Sequence, residues 1–102
     1  MMNSFLKQKL PEVIRIFREH KVDRAYAFGS VCTDDFTDQS DVDFVISFPE
    51  KLDPLEKGEL YFDLLFRLED YLGREIDLLT EGSLRNPYFI KKLNSTKTAL
   101  YE

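Results

Sequence analysis

Two aspartates one residue apart, Asp41 and Asp43, open a segment that reads Asp-Val-Asp-Phe-Val-Ile-Ser-Phe over residues 41–48. In an extended chain, residues i and i+2 point to the same face, so these two carboxylates converge. Like charges held this close repel, and burial strengthens the repulsion, unless a cation sits between them. Carboxylate oxygens without histidine or cysteine select a hard ion, Mg²⁺ or Mn²⁺. A third carboxylate, Asp77, lies between apolar neighbours in Glu75-Ile-Asp-Leu-Leu-Thr80. Three convergent carboxylates suffice for a two-ion site acting on a phosphoryl group. Gly29-Ser30 closes the short apolar segment that begins at Arg24. Glycine lets the backbone approach a phosphate, and serine adds a hydroxyl and an N–H.

The elements that must position these residues follow from periodicity. Leu6, Leu10, Val13, Ile14 and Phe17 recur at helical spacing. Pro11 predicts a regular helix starting near it, with residues 3–9 as a looser lead-in. The helix ends near His20-Lys21, whose basic groups suit a helix C-terminus. Strands are expected at 24–28, 41–48 and 75–80. In the second, Val42, Phe44 and Ile46 face one way, and Asp41, Asp43, Val45 and Ser47 the other. Residues 49–57 read as a charged loop. Residues 58–72 read as the strongest helix, with Leu60, Tyr61, Leu64, Leu65, Leu68, Tyr71 and Leu72 on one arc and Gly73 as its stop. A last helix runs from about Asn86-Pro87 to Lys97, and residues 99–101 add a short terminal strand.

The order α-β-β-α-β-α, with that extra strand, is an α+β architecture: a small mixed sheet of three to four strands packed with helices. The helical crossover makes the second and third strands parallel, while the short connection makes the first two antiparallel.

Composition narrows the function classes. The chain has 102 residues, a length for a single domain over 1–102. Its 43% hydrophobic residues, nine Phe and five Tyr supply a core. A net charge of -5 repels a phosphate backbone, so nucleic acid is a poor partner. One cysteine, Cys32, and one histidine, His20, exclude an intrachain disulfide and Cys- or His-rich metal sites. No apolar run would span a bilayer, and the N-terminal segment lacks a signal peptide's apolar stretch, which gives a cytoplasmic expectation. A calcium loop beginning at Asp35 fails, because its sixth and twelfth positions hold Ser40 and Ile46. Cys32 reads as a buried, inert thiol and His20 as a helix-end residue.

The spaced set Gly29-Ser30, Asp41-Val-Asp43 and Asp77 resembles the DNA polymerase β nucleotidyltransferase superfamily, and in particular its minimal nucleotidyltransferases (MNT). Phe28-Gly-Ser-Val, Ser40-Asp-Val-Asp-Phe-Val, Asn86-Pro-Tyr-Phe and Leu100-Tyr-Glu carry the likeness over roughly residues 12–102. The resemblance implies a palm-like fold and transfer of a nucleoside monophosphate, AMP from ATP, to a hydroxyl with release of pyrophosphate. It implies Gly29 and Ser30 at the nucleotide's phosphates, and Asp41, Asp43 and Asp77 as catalytic ligands of two Mg²⁺ ions. It further implies a HEPN-domain toxin as partner, a tyrosine of that partner as acceptor, and an antitoxin role for this chain. The competing expectation is an antitoxin that neutralises its HEPN partner by binding alone.

Where many members of this superfamily continue Gly-Ser with Arg and Gly, this chain has Val31-Cys-Thr-Asp34. Arg74 and Lys91 are the candidates to supply the missing positive charge. Phe62 and Phe66 stand off the main arc of their helix. They either pack under the 49–57 loop or another helix, or form an exposed patch for a partner or a second copy of the chain.

Overall fold

The computed structural model describes residues 2–102. Helix α1 spans Ser4–Glu19, strand β1 Arg24–Phe28, β2 Val42–Ser47, helix α2 Pro54–Leu72, β3 Ile76–Thr80, α3 Pro87–Thr96 and β4 Thr98–Tyr101. The strands form one mixed sheet in the order β3-β2-β1-β4. β1 is antiparallel to both β2 and β4, and β2 is parallel to β3. The three helices on a mixed sheet match the architecture expected from periodicity.

The alternation of β2 divides the interior. Val42, Phe44 and Ile46 are buried in the main core with Leu6, Val13, Ile16 and Phe17 of α1 and Leu64, Leu68 and Leu72 of α2. Val45 faces the other way, into a smaller cluster with Phe28 and Leu93. Helices α1 and α2 therefore cover one face of the sheet and α3 the other. Phe17 and Phe44 meet edge-on at 5.4 Å in the main core. The inner face of α2 is tied to β3 by the Tyr61 hydroxyl, which donates to the Leu78 carbonyl at 2.5 Å.

Helix starts differ from expectation in two places. α1 begins at Ser4 and carries Pro11 in its interior rather than starting at it. An interior proline costs about 3 kcal/mol because it removes a backbone donor and crowds the preceding turn. That cost is offset locally: the Asn3 side chain accepts from the Phe5 N–H at 2.8 Å, and Leu6 of the first turn is fully buried. α2 begins four residues earlier than the expected start at residue 58, at Pro54. Asp53 caps it by accepting from the Leu55 N–H at 3.1 Å, and Pro54 occupies the first helical position, where a missing N–H is harmless. Gly73, with φ of 65°, ends α2 as expected.

Candidate functional site

The strand register places Asp43 of β2 directly beside Asp77 of β3. Parallel neighbours lie about 4.8 Å apart, and side chains at paired positions share a face. That is the face of Val45, covered by α3. Across β2, Asp43 is paired with Phe28, the last residue of β1. The chain then turns at Gly29, whose φ of 74° lies in the left-handed region. Gly29–Cys32 forms one 3-10 turn that buries Val31 and Cys32. A Cβ at position 29 would overlap the Asp43 Oδ2 atom. Glycine here thus answers to two constraints, backbone sign and close approach of a carboxylate.

A cavity of about 450 Å³ opens at this point, lined by Gly29, Ser30, Asp43, Asp77, Phe89 and Lys92 among others. Four of the five residues singled out in the sequence therefore meet in one place. The fifth, Asp41, is exposed one residue before β2 and does not line the cavity. It is near enough to act on Asp43 electrically. Burial, then the charge of Asp77, then that of Asp41, push the Asp43 carboxyl up to about 6. Among the described residues, no three His, Cys, Asp or Glu side chains are gathered closely enough to hold a metal ion as they stand. The donor chemistry nonetheless suits a hard divalent cation. Asp43 and Asp77 offer only carboxylate oxygens, and their mutual repulsion is what such an ion relieves.

Neither cation considered from the sequence reaches this cavity. Arg74 donates from one guanidinium nitrogen to the carbonyls of Thr37 and Ser40, at 2.9 and 3.0 Å. Its guanidinium also stacks on Phe5 and Phe36, at 4.3 and 4.5 Å. It is a brace for the 33–40 turn that leads into Asp41. Lys91 is exposed and does not line the cavity; its neighbour Lys92 does. Lys92 is the one cation among the residues lining it. One hundred degrees of helical rotation separates the two lysines, and only the packing of Leu93 against Phe28 and Val45 decides which turns inward. Thr96 was also not legible. Its hydroxyl accepts a hydrogen bond from the Gly29 N–H at 3.0 Å. A larger cavity, about 930 Å³, lies at the other end of the sheet among Ser47, Phe48, Tyr61 and Thr80, and contains none of these groups.

The family model for the nucleotidyltransferase domain matches residues 10–99. The chain belongs to that family. A candidate protein adenylyltransferase of Methanocaldococcus jannaschii is 34% identical over 91 residues, covering 88% of this chain and 89% of the relative. Among solved structures, a candidate minimal nucleotidyltransferase superposes with a TM-score of 0.68 at 24% identity, covering 96% of this chain and 95% of the other. A chain of the complex between a tri-AMPylated HEPN toxin of Shewanella oneidensis and its MNT antitoxin superposes with a TM-score of 0.66 at 18% identity. That match covers 93% of this chain and 71% of the other. At these identities the two structures establish the minimal nucleotidyltransferase fold. Family and relatives together make the protein a nucleotidyltransferase enzyme, as its spaced motif implied.

Proposed function

We propose that this nucleotidyltransferase moves AMP from ATP to a hydroxyl, a tyrosine of a HEPN-domain partner, and acts thereby as an antitoxin. The observation that carries this reading is the paired register of Asp43 and Asp77 facing Gly29-Ser30 in one cavity. The adenylyltransferase name of the M. jannaschii relative and the AMPylated toxin of the Shewanella complex support the choice of AMP and of a protein acceptor.

In this reading Gly29 and Ser30 receive the β- and γ-phosphates on their N–H groups, and Lys92 meets the same charge from α3. Asp43 and Asp77, with Asp41 turned toward them, would hold Mg²⁺, in two ions, which when bound would supply positive charge against the phosphates and favour ionisation of the acceptor. The acceptor hydroxyl oxygen attacks the α-phosphorus, and the bond from that phosphorus to pyrophosphate breaks. The proton passes to the Asp77 carboxylate, which is exposed at the cavity. Most of the rate then comes from positioning and charge compensation.

The test is to incubate the chain with ATP, Mg²⁺ and the purified HEPN-domain protein and weigh that protein. Gain of one or more AMP masses, lost in Asp43→Asn, is expected; an unmodified partner overturns the reading. Asp41 lying outside the cavity favours a second reading, inhibition by binding alone. In that case Asp43→Asn would neutralise the partner as well as the wild type does.

A further inference from the structure

Helix α2 has two apolar faces. The inner one, with Leu64, Leu68 and Leu72, is in the core. On the outer one Leu55, Phe62 and Phe66 recur at spacings of seven and four, a straight line along three turns. They are 73%, 58% and 62% exposed. Neither phenylalanine is buried beneath the 49–57 segment or against another helix; Phe62 meets the neighbouring Tyr61 edge-on. Together the three side chains present on the order of 300 Å² of apolar surface, within the size range of patches that are often functional.

The border of the stripe is of one sign. Glu59 and Asp70 flank it on one side, with Asp63 beyond them held by the His20 ring, and Glu69 flanks it on the other; no lysine or arginine of α2 falls on that half of the helix. A second copy of the chain would bring those acids against their own kind, on a molecule already carrying -5. The complementary surface is an apolar groove rimmed by lysine and arginine.

The position of α2 connects this surface to the site. β3 is an edge strand and carries Asp77. α2 is fastened to that same strand through Tyr61 and Leu78. The stripe faces outward from one side of the sheet and the carboxylates lie on the other, so a partner seated on the stripe reaches them around a single strand.

We infer that the outer face of α2 is the docking surface for the protein acceptor, which receives it in an apolar groove with a basic rim. This rests on the protein-acceptor reading above. The experiment titrates the purified HEPN-domain partner against this chain by calorimetry, without nucleotide. Phe66→Glu should weaken binding about tenfold or more, as loss of a central anchor does. The double variant Glu59→Lys, Asp70→Lys should weaken binding too and flatten its dependence on salt. Both should melt like the wild type, since all three positions are exposed. In the transfer assay the KM for the partner should rise while kcat holds.

Wild-type affinity in both variants, or no binding by the wild type, overturns the inference. So does a free chain that is dimeric and becomes monomeric on Phe66→Glu, which would assign the stripe to a second copy. The two readings fail separately. Binding that depends on Phe66 without AMP transfer removes the enzymatic reading and keeps the docking surface. Transfer indifferent to Phe66 does the reverse.

Discussion

Asp43→Asn should stabilise the metal-free protein at neutral pH, although the residue is assigned to the reaction. Its carboxyl is raised from 3.8 to about 6 by burial and by the charges of Asp77 and Asp41. A rise of that size corresponds to about 3 kcal/mol, at ~1.4 kcal/mol per pH unit. Solvent reaches the half-buried group and screens the repulsion, so about 1–2 kcal/mol is the expected gain. The sign follows from proton linkage. Below pH 3.8 the carboxyl is protonated in folded and unfolded chains alike and carries no penalty. Between there and about 6 the folded state holds the proton more tightly, so stability falls as pH rises; above 6 the full penalty applies. Asparagine keeps the shape and never ionises. Its melting temperature should exceed that of the wild type by about 5–10 °C at pH 7.5 in EDTA, and the two should converge near pH 4. A variant less stable than the wild type, or a gain independent of pH, would refute the argument that burial and repulsion penalise the ionised carboxylate at this site. Excess Mg²⁺ should raise the melting temperature of the wild type and narrow the difference.

Two further outcomes follow from the same cavity. Lys92→Ala should weaken ATP binding about tenfold, the scale of a charge-assisted hydrogen bond. Lys92→Arg should largely restore it, and steady-state kinetics should place the effect in KM for ATP rather than kcat. Gly29→Ala combines a left-handed backbone with overlap on Asp43; it should cost about 1–3 kcal/mol in a denaturation curve and abolish nucleotide binding.

The sheet was legible because strand periodicity and crossover rules act locally and leave few topologies. Alternation in residues 41–48 put Asp43 on the face opposite Phe44, and a helical crossover made its neighbour parallel. Those two statements are enough to bring Asp77 alongside. What escaped were choices made by tertiary packing. Lys91 and Lys92 are equivalent in composition, and Leu93 in the small cluster under α3 selects between them. Arg74 offered itself as a phosphate ligand by charge alone, yet two loop carbonyls and two aromatic rings claim it first. The early start of α1 past Pro11 reflects burial of Leu6, a contact with no local signature. The start of α2 did have one, Asp53-Pro54, which a reading guided only by the apolar arc passes over.

If Gly29 receives a phosphate as proposed, the hydrogen bond from its amide to Thr96 gives nucleotide capture the character of an exchange. A phosphate oxygen arriving at that amide finds a hydroxyl already in place. It gains only the surplus of one acceptor over another. A neutral acceptor offers almost no surplus, while an ionised one forms a bond about twice as strong. The resting partner thus acts as a threshold that charge can pass and mere polarity cannot. That hydroxyl sits on the last residue of α3, with Lys97 alone between it and β4. A phosphate at Gly29 would thus free a side chain at the approach to the final strand, which pairs with that same β1.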